Sequence, residues 1–322
     1  MPHQSVLLHL VAGGCGGTVG AIVTCPLEVV KTRLQASPLS LRTICFREVN
    51  LHAVNGGSFS RPARVSATGV LEVLRNILQK EGHRSLFRGL GPTVIGVAPT
   101  RAIYFGAYSC AKEICNSHLE PETKAVHMLS ASFAGFVSIT MTNPIWLVKT
   151  RLQLDESRGR QRQTSTLHCV RNIFQTEGMR GFYRGMSASY VGISETVIKF
   201  VIYEELKQRL NGRGQGLTPP LQSLAGIAPQ QQQINFLALM LAAGVSKTCA
   251  SIIAYPHEVI RTRLRQKGSR YKTLVQTTRL VYQQEGLRAF YRGLQAQMIR
   301  QIPNTAIMMT TYELIVHIAG KV

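Results

Sequence analysis

The sequence predicts an all-α membrane protein of six transmembrane helices in three homologous repeats, with one short helix added per repeat. Three observations carry this. First, the stretch Pro26-Leu27-Glu28-Val29-Val30-Lys31-Thr32-Arg33-Leu34-Gln35 returns as Pro144-Ile145-Trp146-Leu147-Val148-Lys149-Thr150-Arg151-Leu152-Gln153 and as Pro256-His257-Glu258-Val259-Ile260-Arg261-Thr262-Arg263-Leu264-Arg265. The prolines stand 118 and 112 residues apart, a period long enough for one structural unit per copy. Second, Glu81-Gly82, Glu177-Gly178 and Glu285-Gly286 each lead, at identical spacing, to Phe87-Arg88-Gly89, Tyr183-Arg184-Gly185 and Tyr291-Arg292-Gly293. Third, each unit holds two apolar runs of bilayer-spanning length.

The spacing between markers divides the chain. From proline to the Glu-Gly glycine the repeats count 56, 34 and 30 residues, so the first carries an insertion of about 22 to 26 residues within 36–67. The reading is repeat one at 1–115, repeat two at 120–210, a flexible linker at 211–233 and repeat three at 234–322. In order, the helices are expected at about 6–35, 67–79, 90–114, 125–153, 165–176, from Gly185 to about 210, 234–265, 272–284 and 294–319. The first opens with Ala12-Gly13-Gly14-Cys15-Gly16-Gly17, too rich in glycine for a soluble helix but suited to close approach of helices in lipid. No Gly-Lys-Ser/Thr follows, which excludes a phosphate loop. Pro26, Pro144 and Pro256 each remove an N–H and kink their helix. The stretch 67–79 places Val70, Leu71, Val73, Leu74 and Ile77 on one side, an interfacial helix. The linker holds Gly-Arg-Gly, Pro-Pro and Gln230-Gln231-Gln232-Gln233, a composition read as disordered.

Composition narrows the classes. Mean hydropathy is only +0.05, because Arg-rich connections alternate with apolar runs. The formal charge of +21 comes from 37 basic and 16 acidic residues. Those bases gather at helix ends and in connections, which suits membrane-flanking loops and anionic ligands better than nucleic acid. The seven dispersed cysteines lack any CxxC or Cys/His spacing, against a disulfide framework and against a metal site. No catalytic constellation is found, no cofactor is expected, and Met1–Ser5 pass directly into a repeat helix without a cleavable leader.

These motifs resemble those of the mitochondrial carrier family over essentially the whole chain. The threefold Pro-x-Asp/Glu-x-x-Lys/Arg-x-Arg/Lys pattern carries the resemblance. Pro144-Ile145-Trp146, Gly192-Ile193-Ser194-Glu195-Thr196, Arg300-Gln301-Ile302-Pro303-Asn304-Thr305 and the long first loop resemble the pyrimidine nucleotide carriers within it. Trp in place of the second acid is also found in the related folate/flavin and some dinucleotide carriers. The resemblance implies a monomer in the inner membrane. Three helix pairs would surround a cavity in pseudo-threefold symmetry, with both termini toward the intermembrane space and the short helices toward the matrix. It implies a matrix gate in which Glu28 pairs with Lys149, Glu258 with Lys31, and Arg261 meets Trp146 in a cation–π contact, with Gln35 and Gln153 bracing from below. Arg265 departs from that bracing pattern. At the cytoplasmic gate Tyr203-Glu204-x-x-Lys207 keeps the family motif, and Glu313 with Lys112 is the one complete pair. Cardiolipin is implied at the aromatic-Arg-Gly turns, where helix N-termini bind anions.

The symmetry also locates a substrate site. A nucleotide is not threefold symmetric, so its contacts break the repeat whereas gate and scaffold obey it. Seven residues beyond each aromatic-Arg-Gly glycine stand Gly96, Gly192 and Arg300; by resemblance these are contact points, with Ile193 beside Gly192. Eleven residues before the motif acid stand Gly17, Gly135 and Lys247. Lys199, Arg101 and Glu195 also stand out from their repeats. The function read from the sequence is exchange of pyrimidine (deoxy)nucleotides such as UTP, CTP and TTP. The alternatives are a folate/FAD or dinucleotide carrier, or a non-transporting receptor or scaffold on the same fold.

Overall fold

The computed structural model describes residues 2–36, 69–118, 123–155, 165–214, 228–268 and 270–319; the inserted loop and the link after 155 fall outside them. The described residues are helical, without strands. The first repeat has α1 (Pro2–Gln35), α2 (Val70–Glu81) and α3 (Leu90–His118). The second has α4 (Lys124–Leu154), α5 (Thr166–Gly181), α6 (Met186–Val191) and α7 (Ile193–Gly214). The third has α8 (Ala228–Arg265), α9 (Leu274–Glu285) and α10 (Leu294–Ala319).

Two expectations are corrected. The linker read as 211–233 is narrower, since α7 runs to Gly214 and α8 begins at Ala228. The glutamine tract therefore lies in a helix: Gln is a good helix former, and the tract has neither Gly nor Pro after Pro229. Among the described residues, two of the long helices, α1 over Ala12–Gln35 and α4 over Ala125–Leu154, are long and apolar enough to cross a membrane by composition alone. The others carry Arg101, Glu195, Lys199, Lys247 and Arg300 within their length. Each long helix nonetheless exposes large apolar side chains, among them Val23, Ile95, Met141, Val201, Ile253 and Ile302, as lipid contact requires.

The long helices pack most extensively across repeat boundaries: α3 on α4, α7 on α8, and α10 back on α1, which closes the ring. The glycines of α1 permit that closure. A Cβ on Gly16 would stand 2.8 Å from the Met308 carbonyl oxygen, and one on Gly20 3.0 Å from Asn304.

In place of one central core there are three peripheral ones, each at the foot of a kinked helix. Val29, Val30 and Leu34 pack on Val70, Val73 and Ile77; Leu147 and Leu152 pack on Cys169 and Ile173; Ile260 and Leu264 pack on Val281 and Phe290. The apolar face of each short helix is thus spent on its own repeat.

A polar ring ties the three feet together. Arg33 Nε donates to the Gln153 carbonyl at 3.2 Å, Arg151 Nε to that of Arg265 at 3.1 Å, and Arg263 Nε to that of Gln35 at 3.3 Å. Each guanidinium also pairs with the glutamate of its own Glu-Gly turn: Arg33 with Glu81 at 2.5 Å, Arg151 with Glu177 at 2.8 Å, and Arg263 with Glu285. The arginines of the aromatic-Arg-Gly turns, Arg88, Arg184 and Arg292, bind the same three carboxylates. Charge-assisted bonds of this kind hold shape as well as energy. The glycine that follows has φ of 80°, 76° and 85° in the three turns. That conformation favours glycine and lets the turn sit against the Lys149, Arg261 and Lys31 carbonyls.

Candidate functional site

The kinked feet converge on a cavity of about 230 Å³ lined by Glu28, Lys31, Trp146, Lys149, Arg261 and Arg265. Two of its three corners are closed by buried ion pairs. Lys31 Nζ lies 2.6 Å from Glu258, and Lys149 Nζ 2.5 Å from Glu28, with all four side chains at most 15% exposed. Removing one partner of a pair this dry strands a buried charge. Gln35 lies below the first pair, donating to Tyr255 Oη at 2.9 Å and reaching Glu258 at 3.4 Å. Gln153 accepts from Thr32 at 2.9 Å, whereas its Nε2 has no hydrogen-bond partner. It braces the neighbouring helix and not the ion pair.

The third corner differs from the expectation. Arg261 does not stack on Trp146. It turns 3.9 Å from Glu258 of its own helix, while Lys149 Nζ lies 4.9 Å from the centre of the Trp146 ring. Opposite charge one turn away outweighs a ring quadrupole for Arg261. The indole N–H donates to Thr142 at 3.2 Å, which fixes the ring.

Sequence reasoning missed the residues that tune these corners. The residue before two of the three prolines faces the last residue of a neighbouring motif: Tyr255 meets Gln35, and Asn143 accepts from Arg265 at 2.7 Å. The middle threonine of each Lys/Arg-Thr-Arg likewise meets that residue, Thr32 with Gln153, Thr262 with Gln35 and Thr150 with Arg265. The signal was present, since threonine repeats three times, but its partner lies more than 110 residues away. His257 was also missed. It is buried, and its Nε2 would stand 2.7 Å from a Cβ on Gly192.

A second cavity of about 160 Å³ is lined by Tyr104, Gly192, Ile193, Glu195, His257 and Arg261. Arg261 is common to both cavities. Lys247 lies within electrostatic reach of Lys199, Glu195 and Arg300, so α7, α8 and α10 do bring these symmetry-breakers together. Glu195 accepts from Ser251 at 2.8 Å. It stands where Pro99 and Pro303 stand in the other repeats, ten residues after the turn glycine. Arg300 reaches further down than expected, with Nη2 3.5 Å from Glu28. Glu28 therefore faces two cations. Gly96 is packed against the kinked foot: a Cβ there would stand 2.9 Å from Ile145 Cγ2. Arg101 is exposed on α3, near Tyr104.

At the other end, Glu313 is exposed on α10. Glu204 and Lys207 lie partly buried on α7. The structure is thus closed at the kinked end by two pairs. The glutamates of the polar ring are anchored as well. Burial pushes the Glu177 carboxyl up, but the hydrogen bond and charge of Arg151, joined by Arg184, outweigh it and hold the group below the usual carboxylate range.

Comparison with known proteins agrees with this architecture. A family model described as mitochondrial carrier protein matches residues 2–119, 120–214 and 232–321. Solute carrier family 25 member 33 of Mus musculus is 57% identical over 318 residues, covering 99% of this chain and 97% of the relative. Solute carrier family 25 member 36-A of Danio rerio is 56% identical over 320 residues, 99% of each. The mitochondrial pyrimidine nucleotide transporter RIM2 of Saccharomyces cerevisiae is 36% identical over 335 residues, 98% of this chain and 87% of the relative. With three family repeats filling the sequence and relatives aligned end to end, the chain belongs to the mitochondrial carrier family.

Proposed function

We propose that this protein exchanges pyrimidine nucleotides across the mitochondrial inner membrane by alternating access, with both termini toward the intermembrane space and no catalysis of its own. The observation that carries the reading is the gathering of Arg300, Lys247 and Lys199, three bases against Glu195 and the Glu28 that Arg300 reaches, next to a foot closed by ion pairs. An excess of base at a site that breaks threefold symmetry suits a polyphosphate. The name of the yeast relative supports the pyrimidine base. Gly192 and Ile193 line the smaller cavity together with His257, which packs over Gly192, and the base is assigned to this side.

Arg300 supplies the coupling. It lies on Glu28, the acid that also holds Lys149. Substrate phosphates compete with Glu28 for that guanidinium, binding it bidentately. Drawing Arg300 away removes one of the two cations on Glu28, so binding loosens the corner that must open toward the matrix. A ligand shifts a two-state equilibrium only through such differential contacts. Cardiolipin at the aromatic-Arg-Gly turns and a monomeric carrier complete the reading.

The test is uptake of labelled UTP into UTP-loaded liposomes, with CTP, TTP, ATP, FAD and folate as competitors. Competition by pyrimidine nucleotides is expected. Inhibition by FAD or folate alone moves the substrate to that branch of the family. Absence of any exchange with a folded protein points to a receptor or scaffold.

A further inference from the structure

The third corner of the foot holds positive charge without a matching acid. Where Lys31 faces Glu258 and Lys149 faces Glu28, Arg261 has only a 3.9 Å approach to an acid already taken by Lys31. One turn further, the residue that is Gln35 or Gln153 in the other repeats is Arg265. This side chain is only 5% exposed. Its guanidinium donates to neutral acceptors alone: Asn143 Oδ1 at 2.7 Å, Ser189 Oγ at 3.3 Å, Thr150 Oγ1 and the Trp146 carbonyl at 3.4 Å. Its Nε has no partner. No carboxylate of the described residues lies within ion-pair distance of it.

A buried guanidinium without an anion is costly, because burial removes its hydration and nothing of opposite charge replaces it. Arg265 is nevertheless placed by four acceptors, and together with Arg261 it lines the 230 Å³ cavity. Repeat two places Trp146 where an acid would neutralise this corner. Two cations, a vacated acid position and a cavity beside them describe a receptor for an anion that arrives from outside.

We propose that Arg265 and Arg261 form a phosphate subsite at this third corner, which takes the terminal phosphate of the transported nucleotide in place of the missing acid. The assignment rests on the nucleotide-exchange reading for the identity of its ligand. It separates the phosphates from the base, which lies toward Gly192 in the cavity that shares Arg261. The corner then discriminates by phosphate number: a triphosphate reaches it, and a monophosphate anchored at Arg300 falls short.

Two measurements on the full chain test this. In thermal unfolding of detergent-purified protein, inorganic tripolyphosphate should raise the melting temperature of the wild type. Arg265→Gln, which installs the residue of the other two repeats, should lose most of that rise, and Arg265→Lys should keep part of it. In liposomes, Arg265→Gln should weaken apparent affinity for UTP about tenfold and for UMP less than twofold. Should Arg265→Gln fail to fold, Trp146→Asp serves instead, because a carboxylate in the corner must compete with tripolyphosphate and blunt its effect. Equal stabilisation of wild type and variants by tripolyphosphate overturns the subsite. Equal loss for UTP and UMP overturns its assignment to the terminal phosphate. A wild type that exchanges no pyrimidine nucleotide, yet needs Arg265 for stabilisation by tripolyphosphate, keeps the subsite and sinks the transport reading.

Discussion

Glu28 and Lys149 form one ion pair, yet their removal should not cost the same. Glu28 is 2.5 Å from Lys149 and 3.5 Å from Arg300, so one carboxylate serves two cations. Glu28→Gln leaves Lys149, 10% exposed, and Arg300 without an acid. Removing one partner of a buried pair costs about 3–5 kcal/mol. Lys149→Met leaves Glu28 with Arg300 beside it, and the loss falls to that of one charge-assisted hydrogen bond, about 1.5–3 kcal/mol. The cost is borne by the state closed at the kinked end. At roughly 1.4 kcal/mol per factor of ten, Glu28→Gln should raise the open fraction on the order of 10²- to several 10³-fold, and Lys149→Met roughly ten- to thirtyfold less than that. The assay is the rate at which a maleimide applied from the matrix side alkylates Thr150→Cys, in a chain otherwise free of cysteine. Thr150 is buried on the cavity wall in the closed state, so its labelling rate follows the open fraction. Equal acceleration by Glu28→Gln and Lys149→Met would refute the claim that Arg300 shares the acid.

Three further outcomes follow from the same geometry. Arg300→Lys should lower UTP exchange at least about tenfold while conserving charge, because a point charge cannot clasp phosphate and Glu28 as a planar fork does; wild-type exchange by this variant removes Arg300 from the anchor role. Gly96→Ala should impair exchange by driving a Cβ to 2.9 Å from Ile145 Cγ2, and Ile145→Ala in the same chain should restore it; a failure to restore means that Gly96 is needed by substrate and not by the neighbouring helix. Glu177 contributes stability above the ordinary carboxylate pKa, because its folded value is held lower, and that contribution is lost as pH falls through the lowered value; Glu177→Gln should therefore flatten the acid side of the melting-temperature profile, and an unchanged profile counts against the anchoring.

What the sequence made legible is what repeats. Three copies of a motif are three readings of one structure, so the long helices could be read from spacing, and the pairs of Lys31 with Glu258 and Lys149 with Glu28 were expected from the resemblance that the repeated motif carries. The Glu-Gly glutamates repeat just as faithfully, but their partners Arg33, Arg151 and Arg263 lie 48, 26 and 22 residues away, and only the fold shows that one carboxylate serves two arginines. Contacts that break the symmetry are harder still, since each occurs once. Trp146 was expected to attract Arg261, but a single position says nothing about Glu258 competing from one turn away. Arg265 was visible as a departure from the bracing pattern, and its environment was not. Whether a lone arginine is a brace or a receptor depends on what surrounds it: an acid makes it a brace, and neutral acceptors with an unpartnered Nε leave its charge for a ligand to complete. The same distinction separates Arg300, which already has Glu28 and must be drawn from it, from Arg265, which has no acid to leave. A nucleotide that engages both therefore loosens one corner of the foot while neutralising another, and the order in which its phosphates meet them sets whether binding opens the carrier or holds it shut.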